Sequence, residues 1–328
     1  MARIIIGQKQ VVKTWQEVFQ DQIKLGKVVP LISNAVSNDL VLKGHDSLIS
    51  GYVNYLDYPF ITEHNLPYIT QYSSVMQKVA PGDNVVRGDY LRFVKSRLWD
   101  IAKEEGISKT LLKEMEDQFD DINFSQLSKN LGYPKFSSVD KDPWLILASL
   151  DLPIYLTTSY HTFMEAALER AGKTPSTEFC RWNNQLDTIL FDSDSEYVPS
   201  KEEPLVYHLY GVDTCPESLV LIEDHYMQFL VAVSQDEKRI PSRVRQALTD
   251  SSIMLLGYDL SSWDFRSLFW SLIRPRPIRQ QSVCVLQLGR DDEEEIKYLQ
   301  KYLKVMDFEV VRESVPQYMQ QLYQSLGI

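Results

Sequence analysis

The segment LTTSYHTFMEAALERAG (156–172) sets three side chains capable of chemistry, Ser159, Tyr160 and His161, between a strand pattern and a helix pattern. Thr162 and Glu165 have the spacing of a capping box, and Gly172 supplies the stop. A hydroxyl and an imidazole at a helix N-terminus can hold an anion, and the dipole there lowers a histidine's pKa. Three further apolar runs end in similar material: PLISNAVS (30–37), YHLYG (207–211) and LLGYDLSSWDFRSLF (255–269). Alternation along the third run predicts His208 and Tyr210 on one face of a strand, about 6.5–7 Å apart. His208 reads either as a base or as a histidine satisfied inside a sheet. Metal chemistry is not indicated. Cys180, Cys215 and Cys284 are an odd, widely spaced set without C-x-x-C, and the five histidines contain no H-E-x-x-H. Neither a disulfide framework nor a structural metal is expected.

The elements that would position these residues follow from the apolar periods. Residues 13–26 carry Trp15, Val18, Phe19 and Ile23 at helical spacing and stop at Gly26. KVVPLI (27–32) is a continuous apolar run, as in a buried parallel strand. Residues from about 50 to 145 are mostly helical in pattern and predict a helical insertion or subdomain. From 143 onward strands at 152–158, 204–210, 251–258, 282–289 and 308–311 alternate with helices near 162–171, 223–233, 240–249, 262–273 and 293–303. Segment 173–203 shows no clear element. The alternation predicts an α/β fold, a doubly wound, Rossmann-like, mostly parallel sheet with ligands at the strands' C-terminal ends. The whole chain, 1–328, is expected to form one such domain around the insertion.

In this order and spacing, the four strand ends resemble the SIR2-like family of bacterial anti-phage defence systems, NAD-consuming relatives of the sirtuins. The phrases EFCRWN (178–183) and ESLVLIEDHYMQFL (217–230) add to the resemblance, which runs over nearly the whole chain. It implies a pattern of GAGxS, TTNYD, HLHG and LGYSLxDxDFR used to bind NAD and cleave its nicotinamide–ribose bond. Carried onto this chain, it places cofactor-binding residues at Ser33, Asn34, Ala35, Ser37, Thr158, Tyr160, Gly211, Gly257 and Tyr258. The catalytic positions fall on Ser159 and Tyr210, where the family has asparagine and histidine. His161, at the family's aspartate, is the possible substitute base. Ser33 and Ala35 stand where the family has glycines, and a left-handed backbone there would cost about 1 kcal/mol per Cβ. Serine lacks an amide's paired donor and acceptor at the same reach, and a phenol with a pKa near 10 is a poor base at neutral pH. Asp264 and Arg266 match the fourth motif, either at the site or as a structural pair. Sirtuin deacetylases add a four-cysteine zinc ribbon, which three cysteines cannot build.

The resemblance and the losses together imply a catalytically impaired SIR2-like protein acting as a regulatory, scaffolding or oligomer-forming subunit. The alternatives are an NAD glycohydrolase with rearranged residues and a sensor that holds NAD or ADP-ribose without turnover. Partners are expected to be a protein or a second copy. The aromatic stretch 52–72 reads either as an interface or as a packed helical layer. A net charge of −11 opposes nucleic-acid binding, with local exceptions at KRIPSRVR (238–245) and RPRPIR (274–279). The acidic run DDEEE (291–295) reads as a helix's first turn. No apolar run of membrane-spanning length exists, and the N-terminal apolar patch is short for a signal peptide, so a cytoplasmic location is expected.

Overall fold

In the computed structural model, residues 13–60, 65–77, 84–188, 197–259, 262–273, 282–286, 293–305 and 307–327 are described. Seven strands form one sheet: β1 (Val28–Ile32), β2 (Ile154–Thr157), β3 (Ser176–Phe179), β4 (Leu205–His208), β5 (Ser252–Tyr258), β6 (Ser282–Leu286) and β7 (Phe308–Val311). Their order is β3-β4-β2-β1-β5-β6-β7, and every pairing is parallel. Every residue of β1, β2, β4 and β5 is buried, which is why these strands read as unbroken apolar runs. The chain leaves β1 toward β2, β4 and β3, then crosses back to β5 on the other side of β1. The sheet therefore switches winding direction at β1, where α/β folds place their crevice.

Between β1 and β2 run α2 (Asn34–Val41), α3 (His45–Tyr55), α4 (Leu66–Met76), α5 (Val85–Glu104), α6 (Lys109–Glu116), α7 (Phe124–Asn130) and α8 (Pro143–Ser149). These helices, with α1 (Trp15–Lys24), α9 (Phe163–Arg170) and α14 (Val315–Leu326), share one apolar core with Tyr155, Val206, Met254 and Leu256 of the sheet. The opposite face is covered by α10 (Glu223–Gln235), α11 (Ser242–Asp250), α12 (Trp263–Leu268) with a π turn at Phe269–Ile273, and α13 (Glu293–Lys304). The α/β, doubly wound, Rossmann-like architecture expected from the alternation is the one observed. The aromatic stretch divides. Tyr52 and Tyr58 are buried, whereas Tyr55, Phe60 and Tyr68 face outward.

One expectation needs correction, and two features go beyond the sequence reading. Segment 173–203 contains β3, an edge strand whose STEF sequence is half polar because only Phe179 is fully buried. A C-terminal helix, α14, follows the last strand. Ser314 and Gln317 form its capping box, and Pro316 lies in its first turn. The basic run 238–245 is internally paired, with Arg239 on Asp236, Arg243 on Glu178 and Arg245 on Glu237. RPRPIR (274–279) and the side chain of Asp264 lie outside the described residues, whereas the helical part of DDEEE opens α13 as expected. Among the described residues no helix is long and apolar enough to cross a membrane.

Candidate functional site

The four corners lie at the C-terminal ends of adjacent strands. The ladder continues into the loops through Ser33 N–H to Leu256 O (3.0 Å), Thr158 N–H to Ile32 O (3.0 Å) and Leu209 N–H to Thr157 O (2.8 Å). At the first corner Ser33 is the N-cap of α2, with φ −73°, and its hydroxyl accepts from Ala35 N–H at 3.2 Å. Neither Ser33 nor Ala35 has positive φ, so the left-handed penalty anticipated for a Cβ there does not arise. The consequence lies in the hydrogen bonds. Asn34 N–H donates to Thr158 Oγ1 (3.2 Å) and Val36 N–H to Ser33 O (3.2 Å). The opening N–H groups of α2, which in a dinucleotide site would face phosphate, all have acceptors within the chain.

At the second corner the Ser159 hydroxyl lies 3.2 Å from that of Ser37, both buried, and Ser159 N–H donates to Thr157 Oγ1 at 2.9 Å. Thr158 Oγ1 is 3.4 Å from the Tyr258 hydroxyl, which brings β5 into the same cluster. His161 sits apart, stacked on Phe163 (centroids 3.9 Å) and edged by Phe124 and Tyr160. Among the described residues neither of its ring nitrogens has a hydrogen-bond partner, and burial, aided by the charge of His208, pushes its pKa down to about 3. An imidazole that stays neutral this far into acid is a weak base at neutral pH. Tyr160, also buried, packs edge-on against Tyr90 of α5.

The anticipated capping box at Thr162 does not form. The Thr162 side chain makes no capping bond, and its N–H donates instead to Ser125 Oγ of α7 at 3.1 Å. Glu165 is drawn inward, because β4 places a buried imidazole beside it. His208 Nε2 lies 2.8 Å from Glu165 Oε1, and Thr177 donates to the same oxygen at 2.9 Å. His208 Nδ1 donates to Ser159 O at 2.7 Å. Burial opposes a charge on His208, but Glu165's charge and hydrogen bond, with the Ser159 carbonyl, outweigh it and raise the imidazole above its ordinary value. His208 is thus an ion-paired strut joining β4, α9 and the second corner.

β4 ends at His208, so alternation stops one step short of Tyr210, and the two do not share a face as expected. Tyr210 turns into the α10–α12 layer, where its hydroxyl meets Ser267 Oγ at 2.6 Å and its ring packs edge-on against Tyr226 and Phe229. Gly211, at φ +88°, lies so close to Ser218 that a Cβ would come within 2.3 Å of its carbonyl oxygen. Gly257, at φ +73°, occupies an irregularity in the β5–β6 register, and its bare Cα faces Val36 of α2. Both glycines are required by packing as they stand.

The structure therefore joins Ser33, Asn34, Ala35, Ser37, Thr158, Ser159 and Tyr258 into one polar cluster. Tyr210, Gly211 and His161 lie outside it. Sequence reading missed Asp213, a buried carboxyl that accepts from Ser125 N–H (2.6 Å) and Ser125 Oγ (2.9 Å) and whose own N–H donates to Tyr160 O (2.7 Å). Burial raises its pKa to about 6 against the lowering pull of the Ser125 donors. No local signal could name a partner 88 positions away. Buried Arg87, which donates to Leu219 O at 3.0 Å and faces His225, was missed for the same reason. Among the described residues no group of three His, Cys, Asp or Glu side chains could hold a metal ion.

Residues 153–305 match the family model described as the SIR2-like domain. The match begins just before β2 and so covers the second, third and fourth corners but not the first. No curated protein matches the chain.

Proposed function

We propose, from the SIR2-like domain that residues 153–305 match, that the whole chain is a SIR2-like protein of the anti-phage defence type. In this reading its strand-end site no longer hydrolyses NAD, and the protein works by binding, as a regulatory or scaffolding subunit. The observation that carries the reading is the occupied first turn of α2. Asn34 N–H and Ala35 N–H are held by Thr158 and Ser33 hydroxyls, so a pyrophosphate would have to displace both bonds. In this reading the site as it stands does not fit a dinucleotide, whose pyrophosphate would first have to displace the Thr158 and Ser33 bonds, and no hydrolytic step is routed through it. Tyr210 supports the same reading. At the family's base position it is a phenol hydrogen-bonded to Ser267 in a different layer from Ser159. Losing a positioned base costs about 10²–10⁴-fold in rate.

A second reading, a site that holds ADP-ribose or a related nucleotide without turnover, rests on Asn34. Its Oδ1 is buried and lacks a partner among the described residues, so an occupant's donor would satisfy it. Incubating the protein with NAD and assaying free nicotinamide tests the first reading, and sustained release would overturn it. Calorimetry with ADP-ribose separates the two, since heat of binding without turnover favours the second. Replacing Ser33 and Ala35 by glycine together with Ser159→Asn and Tyr210→His restores the family's residues. Activity gained in that variant and absent from the parent would assign the loss to these positions.

A further inference from the structure

The phrase ESLVLIEDHYMQFL (217–230) is held from two sides. Toward the sheet, Val220 N–H donates to Tyr210 O at 3.0 Å and Trp182 Nε1 to Ser218 O at 2.8 Å, which fixes residues 217–222 against the third corner. Toward the helical layer, Thr70 Oγ1 of α4 lies 2.9 Å from Leu221 O, and Gln71 exchanges two bonds of 3.2 Å with Asp224. Asn84 and Arg87, at the start of α5, reach Glu217 Oε1 (2.7 Å) and Leu219 O (3.0 Å). Residues 217–225 are thus the seam along which α4 and α5 join the third corner. One pair in this seam is mismatched. Arg87 is buried, and among the described residues no carboxylate lies within hydrogen-bonding reach of its guanidinium. Its Nη2 lies instead 3.0 Å from His225 Nε2, while Nδ1 of the same ring faces Leu221 N–H at 3.3 Å. Both neighbours are donors. A neutral imidazole has one acceptor nitrogen and one N–H, so one of these contacts already sets donor against donor. A protonated ring would make both contacts so.

We infer that residues 217–225 form an acid-operated latch, in which protonation of His225 beside Arg87 frees this stretch from α4 and α5 and loosens the third corner. From α5, Arg87 is the charge that acts on the ring, and it opposes a second cation. Within the stretch, Glu217 favours the charge on Arg87 and is itself held by Asn84, with Cys215 Sγ 3.6 Å from its other oxygen. Glu223 and Asp224 precede His225 in α10, and Asp224 is turned to Gln71 of α4. On the remaining side Trp182 presents an uncharged ring, with centroids 5.4 Å apart. Burial and Arg87 together lower the folded pKa of His225 to about 3, against 6.5 in water. The closed seam therefore excludes a proton that the open seam binds, and closure weakens as pH falls below 6.5. From pH 7.5 to 5.0 the ratio of open to closed should rise about 30-fold. The latch operates whatever the strand-end site binds.

Hydrogen–deuterium exchange of the full chain at pH 7.5 and 5.0, corrected for intrinsic exchange rates, provides the test. In the parent, protection of the Val220, Leu221 and Asp224 amides should fall about 30-fold, while staying below that of the β1 amides at both pH values. His225→Gln keeps the side chain's reach without its charge and should hold that fall to within about threefold. His225→Glu offers Arg87 Nη2 and Leu221 N–H a side chain that only accepts, and should raise protection at pH 7.5 by about tenfold. A parent change under about threefold, an equal fall in His225→Gln, or lower protection in His225→Glu than in the parent would each overturn the inference. So would latch amides as protected as those of β1, since the seam would then open only with the whole fold.

Discussion

His161→Phe is the sharpest test of the buried corner. Phenylalanine keeps the ring that stacks on Phe163 and deletes two nitrogens that have no partner among the described residues. Removing unpaired buried polar atoms is close to neutral or stabilising, so near pH 7.5 the variant should match the parent within about 1 kcal/mol or exceed it. The pH dependence is diagnostic. The imidazole titrates at 6.5 when exposed and near 3 when folded. Between those values the unfolded chain binds a proton that the folded chain refuses, so this residue lowers stability as pH falls below 6.5. At pH 5.0 the gap from 6.5 amounts to about 2 kcal/mol at 1.36 kcal/mol per unit. Urea unfolding of parent and variant at pH 7.5 and 5.0 measures it. The parent should lose about 2 kcal/mol relative to the variant over that interval. Differencing removes the opposing contributions of Asp213 and His208, both of which favour folding as the solution becomes acidic. Curves that shift in parallel would mean that His161 is solvated or bonded, and the account of it as a mute aromatic filler would be wrong.

Other perturbations probe the remaining corners. Glu165→Gln should cost about 3 kcal/mol near pH 6, because it strands the His208 charge, and thermal or urea unfolding reads this. His208's raised value makes that loss largest in acid and smaller as pH climbs through its folded pKa, which NMR titration of the ring would follow. Gly257→Ala should cost more than about 2 kcal/mol, since its Cβ would come within 2.3 Å of Val36 Cγ2. Adding Val36→Ala should make the pair less damaging than the sum by about 1 kcal/mol or more in a double-mutant cycle. Tyr210→Phe should cost about 1 kcal/mol through the lost bond to Ser267, and Tyr210→His alone should release no nicotinamide from NAD.

The strands were legible because parallel strands buried on both faces leave an apolar run that polar turns punctuate, as VVPLI, IYLT and SIMLLGY do. Placing the four corners side by side needed only the rule that doubly wound sheets gather strand C-termini. What escaped depended on contacts distant in sequence. Glu165 has the spacing of a cap, and only the arrival of β4 shows that an imidazole outcompetes a backbone N–H for it. Tyr210 was misplaced because one residue decides where β4 ends, and alternation fails beyond that point. β3 was invisible because STEF at an edge buries only Phe179 fully.

The sheet's order has a consequence for anyone trimming this protein. Its central strand, β1, is bonded to β2 on one side and β5 on the other, yet it lies upstream of the span 153–305. A polypeptide cut to that span would leave a vacant slot in mid-sheet. It would also deprive Asp213 of both donors from Ser125, leaving a buried acid with nothing to answer it. Such a fragment should open or aggregate rather than fold, so the boundaries of the recognisable sequence are not the boundaries of the cooperative unit.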